Sequence, residues 1–135
     1  MQVTAKSASA RTTRSDLLVL VVHSKEVVKF PAGYEKAGKA AKAAGDLPSD
    51  FRTSCTLYPD SKASSKRLMI LSIGDAPESE KLRRCAALAI QAAERVEAAD
   101  VCFEISSKVA SSLPKYCGDA RIGIALGEGF VLGAY

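Results

Sequence analysis

Hydrophobic and polar positions alternate in blocks along this chain, and the blocks carry different periods. Asp16-Leu-Leu-Val-Leu-Val-Val22 is an unbroken aliphatic run between polar residues, the pattern of a strand buried on both faces in the middle of a sheet. Gln2 to Lys6 alternates polar and apolar residues and predicts a first strand at a sheet edge. Tyr34 to Ala44 is rich in Ala and Lys, with Gly33 before it and Gly45 after it, which predicts a helix with a glycine stop. Tyr34 is its only bulky apolar residue and Gly38 interrupts it, so this helix is expected to be weak and superficial. Thr53 to Tyr58, ending at Pro59-Asp60, predicts a strand, and Ser61 to Ser65 a polar turn.

The second half has longer periods. Arg67 to Ile73 predicts a buried strand stopping at Gly74-Asp75, after which Pro77 opens a helix to about Ala99. Asp75 and Glu78 have the spacing of a capping pair, and Glu78 and Glu80 put negative charge in the first turn, where the helix dipole favours it. Leu82, Cys85, Ala86, Ala89, Ile90, Ala93 and Val96 form one apolar stripe, with Lys81, Arg84, Gln91, Glu94 and Arg95 on other faces. Asp100 to Ile105 predicts a further strand. Asp119 to Ala134 predicts a last helix, whose Gly123, Gly127, Gly129 and Gly133 suggest close approach to a neighbouring layer. Strands alternating with helices indicate an α/β domain with crossover connections.

Composition narrows the class. The 135 residues, 47% hydrophobic and 25% charged, suit a single globular domain. Residues 1–67 hold 12 Lys and Arg against 6 Asp and Glu, and residues 68–135 hold 7 against 9. The basic excess is thus modest and N-terminal, and with 6% aromatics and no Trp it argues against a nucleic-acid partner. The aliphatic run at 17–22 is too short to span a bilayer, so no membrane partner is expected. The first 15 residues carry Lys6, Arg11 and Arg14 without an acid; they faintly resemble a transit peptide and are read as part of the fold. Cys55, Cys85, Cys102 and Cys117 show no C-x-x-C spacing, which points away from a cysteine metal centre and toward reduced thiols in the cytoplasm.

Candidate chemistry is sparse. Gly127-Glu-Gly129 begins like a dinucleotide fingerprint, but its third glycine, Gly133, comes one residue late and no strand precedes it. Gly74-Asp75-Ala76-Pro77 joins strand to helix, yet Asp75 would repel an anion and Pro77 lacks a donor. His23, the single histidine, ends the central strand with no acid at a suggestive spacing and is read as strand-end packing. Lys36, Lys39 and Lys42 are read as a solvated helix face, and Cys117, beside Gly118, is the thiol expected to be exposed. No catalytic, cofactor-binding or metal-ligating residue is assigned.

Taken in order, SDLLVLVV at 15–22, KRLMILSIGD at 66–75, ESEKLRRCAALAIQAAERV at 78–96 and DARIGIALGEGFVLGAY at 119–135 resemble the N-terminal domain of the cytosolic leucyl aminopeptidase family. The resemblance covers most of the chain, and Glu128-Gly129-Phe-Val-Leu-Gly133-Ala-Tyr135 with the strand and helix at 66–96 is its most specific part. It implies a three-layer α/β/α, macro-domain-like fold with a mixed sheet, residues 1–135 forming a single accessory domain. It also implies a parent two-metal exopeptidase whose divalent ions, zinc or manganese, lie in a catalytic domain that would begin after Tyr135. The family's Asn-Thr-Asp-Ala-Glu-Gly-Arg segment is absent here, so no catalytic residue carries over. The implied partners are that catalytic domain and further copies in a hexamer. The competing expectation is a free-standing macro-like module binding ADP-ribose or a related nucleotide; a DNA-binding regulatory domain is weaker still.

Overall fold

The computed structural model describes residues 10–112. The expected strand at Gln2–Lys6, the expected helix at Asp119–Ala134 with its glycines, and Cys117 lie outside the described residues. Within them the elements run β1 (Leu17–Val22), α1 (Glu35–Ala44), β2 (Ser54–Leu57), β3 (Leu68–Ser72), α2 (Ser79–Arg95), β4 (Val101–Ile105) and α3 (Ser107–Ser112). The fold is mixed α/β, with four strands in the order β2-β3-β1-β4. Strand β1 is parallel to both β3 and β4, and β2 is antiparallel to β3.

All six residues of β1 are buried, and because side chains alternate along a strand, they divide between two cores. Leu17, Val19 and Val21 join Met69, Leu71 and Ile73 beneath Leu82, Cys85, Ala89 and Ala93 of α2 and Val109 of α3. Leu18, Leu20 and Val22 join Leu57, Leu68 and Ile70 with Tyr34 and with Ala41 of α1. The start of β1 is tied to the start of β4 by Asp16, whose Oδ2 accepts the Ala99 N–H at 2.8 Å while Lys66 Nζ lies 3.1 Å from Oδ1. Those two groups, the Ala99 N–H first, hold the Asp16 carboxyl below its usual range.

Helix α1 is docked more firmly than its composition suggests. Tyr34 precedes the helix and is fully buried, its hydroxyl donating to the Ser65 carbonyl at 2.8 Å. The N-terminal donor that a local cap would satisfy is instead taken by Asp60, whose Oδ2 accepts the Ala37 N–H at 2.7 Å. Gly45 ends the helix in the left-handed conformation (φ 76°). Gly38 is buried against Phe30, and a methyl group there would overlap the Phe30 ring, so the interrupting glycine is what permits this contact.

Helix α2 starts at Ser79, two residues after Pro77, with an extended Glu78 as its N-cap and no side-chain cap bond. The expected Asp75–Glu78 capping pair is therefore not formed, because Glu78 stands at the cap itself and Asp75 lies outside the helix. Glu80 remains in the first turn and pairs with both Arg83 and Arg84. The apolar stripe is buried from Leu82 to Ala93 but ends there, since the helix stops at Arg95 and Val96 is exposed. The short α3 had no sequence-based expectation. None of the helices among the described residues is long and apolar enough to cross a membrane.

Replacing Gly38 by Ala tests the docking of α1. On an exposed helix the change would add about 1 kcal/mol of stability; against the Phe30 ring, overpacking of about 1–3 kcal/mol opposes it. Urea denaturation is expected to show a net loss of stability, and a gain would mean that α1 is not held against Phe30.

Candidate functional site

In an open α/β sheet the place for a ligand is the carboxyl edge of the parallel strands, where neighbouring strands send their connections to opposite faces. Here that place lies between β1 and β3: the chain leaves β1 toward α1 on one face and leaves β3 toward α2 on the other. Two of the sequence candidates, His23 and Gly74-Asp75-Ala76-Pro77, meet at this crevice. The ladder continues past both strands, Ile73 N–H donating to the Val22 carbonyl and Ser24 N–H to the Gly74 carbonyl at 3.1 Å.

The His23 ring is buried and both its nitrogens are committed. Nδ1 lies 3.1 Å from the Lys25 N–H, and Nε2 lies 3.2 Å from the Asp75 carbonyl oxygen. Since an amide nitrogen only donates and a carbonyl only accepts, this geometry fits the tautomer protonated at Nε2. His23 thus staples the end of β1 to the β3–α2 turn, and neither nitrogen is presented to a substrate. The Asp75 side chain is exposed, Pro77 is buried, and Lys81 Nζ donates to the Ala76 carbonyl at 3.0 Å. The turn is used for internal linkage.

A second staple joins β1 to β4. Glu26 Oε1 accepts the His23 N–H at 2.7 Å and the Ser106 hydroxyl at 2.5 Å. Ser106 Oγ in turn accepts the Val109 N–H at 3.2 Å, and the Ser106 N–H donates to the Val21 carbonyl. One serine therefore caps α3 and closes the β1–β4 gap. Sequence reasoning did not single out Glu26 or Ser106. The available signal was local: a serine directly after a strand and before Lys108-Val109, in N-cap position.

Elsewhere the candidates stay apart. Lys36, Lys39 and Lys42 are exposed on α1. Cys55, Cys85 and Cys102 are free thiols on β2, α2 and β4. Burial raises the Cys55 thiol, helped by Asp46, and pushes Cys85 up to about 12 against a small opposing effect of Arg52. A thiol held neutral in this way is a core group and a poor nucleophile. Among the described residues no group of three or more His, Cys, Asp and Glu side chains is arranged to hold a metal ion. The chain matches no family model and no curated protein. Fold and edge geometry together define a mixed α/β domain whose carboxyl-edge crevice is filled by its own hydrogen bonds.

Ser106→Ala removes the α3 cap and the donor to Glu26, and equilibrium unfolding is expected to show a loss of about 1–2 kcal/mol; an unchanged midpoint would mean that the β1–β4 staple carries no weight. The raised Cys85 thiol sets a pH dependence. Its stabilising effect is complete below the unfolded thiol's pKa and is lost as pH rises from 9.0 toward about 12, because the unfolded chain releases the proton first. Stability should fall across that window by up to about 1.4 kcal/mol per pH unit from this group, and Cys85→Ala should flatten the slope.

Proposed function

We propose that this chain is the non-catalytic N-terminal domain of a leucyl aminopeptidase, a three-layer α/β/α, macro-domain-like module acting in the cytoplasm. The observation in its favour is that three of the four resembling segments are the structural spine. SDLLVLVV at 15–22 contains β1, KRLMILSIGD at 66–75 contains β3, and ESEKLRRCAALAIQAAERV at 78–96 contains α2. They form one parallel strand–helix unit around the centre of the sheet. The fourth segment, at 119–135, lies outside the described residues. In this reading the chain arranges subunits in a hexamer, and the chemistry belongs to a following catalytic domain. There two divalent ions, zinc or manganese, would activate water against the N-terminal peptide bond. No residue of the present chain is assigned to those ions.

The test is to read the gene across the codon for Tyr135, express the polypeptide it encodes, and compare it with residues 1–135 alone. The longer polypeptide is expected to hydrolyse leucyl amide in a chelator-sensitive way, and the short one not at all. A stop codon directly after Tyr135, or chelator-sensitive turnover by residues 1–135 alone, would overturn the reading. The filled crevice also bears on nucleotide binding. Calorimetric titration with ADP-ribose is expected to show no micromolar affinity, because entry between β1 and β3 would require breaking the His23–Asp75 link; such affinity would favour the macro-type module.

A further inference from the structure

The segment between α1 and β2 meets α2 along one side of the helix. Lys81 Nζ lies 5.5 Å from the centroid of the Phe51 ring, close enough for a cation to be held over an aromatic face, so Phe51 is pinned to the first turns of α2. The next residue, Arg52, donates its N–H to the Ser72 carbonyl at the end of β3, at 3.0 Å. Fixed in this way, Arg52 stands against the helix, and its charge acts on the Cys85 thiol within the α2 stripe.

Between Arg52 and the helix is a shallow depression of about 240 Å³, lined by Arg52 and by Arg84, Ala87, Leu88 and Gln91 of α2. The helical residues recur at three and four, so a single face of α2 forms one side. The half-buried Ala87 and Leu88 make an apolar floor, and the exposed Arg52, Arg84 and Gln91 make a polar rim. The volume is below the roughly 300–1,000 Å³ of small-molecule pockets, which suits a charged head group and not a whole cofactor.

The charge on this rim is poorly neutralised. Among the described residues no carboxylate pairs with Arg52. Glu80 is shared between Arg83 and Arg84, and it engages Arg84 at Nε, at 3.2 Å, which leaves the two terminal nitrogens of that guanidinium to face outward. Two like charges on one small depression repel each other. Arg52 also keeps φ 73°, a conformation that L side chains rarely adopt, and strain of this kind gathers at ligand sites. An anion seated between the two guanidinium groups turns the repulsion into attraction.

We propose that this depression binds a phosphate monoester group, held by the guanidinium groups of Arg52 and Arg84 and by the side-chain amide of Gln91. A carboxylate brings one charge and two oxygens in a plane, enough for one guanidinium fork. A phosphate monoester carries about −1.5 to −2 charges at pH 7 and three acceptor oxygens, which matches two guanidinium groups and an amide donor. The carbon chain of the ester then lies over Ala87 and Leu88. A small ester and a phosphorylated side chain share this head group. The inference stands apart from the aminopeptidase reading, which assigns no ligand to this chain.

The test follows isotope-labelled residues 1–135 by NMR at constant ionic strength, with inorganic phosphate, an end-blocked phosphoserine pentapeptide, and acetate. Phosphate is expected to shift the Nε–H signals of Arg52 and Arg84 and the amides of residues 84–91 in a saturable way, with a Kd of about 1–10 mM. Acetate should bind about tenfold more weakly. Arg84→Gln, at an exposed helix position, should weaken phosphate binding about tenfold and melt near the parent. Arg52→Gly should weaken it as much and melt no lower than the parent, since glycine adopts the left-handed backbone freely. Lys36→Gln removes the same charge from α1 and should stay within about twofold. A pentapeptide about tenfold or more tighter than inorganic phosphate assigns the site to a phosphorylated chain, and any smaller difference assigns it to small phosphate esters. Shifts that do not saturate, equal affinity for acetate, parental affinity in either arginine variant, or an equal loss in Lys36→Gln would overturn the proposal.

Discussion

Six consecutive aliphatic residues leave β1 without a face that tolerates water, so Leu17–Val22 must be covered from both sides. Burying a Leu or Val side chain contributes about 1.5–3 kcal/mol, and here six are buried in a row. Neighbours on both edges, β3 and β4, satisfy the backbone, and helices on both faces cover the side chains. Strand β4 reaches its place beside β1 only if the chain from β3 crosses over the sheet, which is the work of α2. Its Ala86, Ala89 and Ala93 are short enough for close packing on β1 and β3.

The same constraint creates the crevice at the carboxyl edge. A central strand whose connection leaves by one face, beside a strand whose connection leaves by the other, opens a gap between them. Many α/β proteins bind a ligand in such a gap; here His23 ties the end of β1 to the β3–α2 turn, and Glu26 with Ser106 ties it to β4 on the other side. The polar groups of this edge are consumed in joining strand ends.

Elements whose cause is local were legible in the sequence. The runs at 17–22 and 68–72 and the stripe from Leu82 to Ala93 each announce themselves within one window, and the structure reproduces them. What escaped depends on partners distant in the chain. Asp60 caps α1 from 23 positions away, and Glu26 meets Ser106 across 80; no local pattern records either. Gly38 was legible as a helix breaker, but its role against Phe30 exists only once the two residues pack. The left-handed backbone at Arg52, φ 73°, escapes for another reason: its usual marker is glycine, and an arginine carries no such signal. The filled crevice is half legible: the strand end marks His23 as packing, while Glu26 carries no local signature of its bond to Ser106.

A strand apolar on both faces carries no code for which face is which. In an amphipathic strand a slip of one residue exposes the hydrophobic set and is rejected at once, but a slip of β1 would merely exchange Val19 and Leu20 between two oily cores. Alignment must therefore come from the polar ends of the strand: Asp16 on the Ala99 amide at one end, and His23 on the Asp75 carbonyl with Glu26 on the Ser106 hydroxyl at the other. These few bonds act as a vernier for the sheet. Their deepest effect is informational, fixing which of two nearly equivalent arrangements the chain adopts, and a variant lacking both ends would lose uniqueness of fold before it lost compactness.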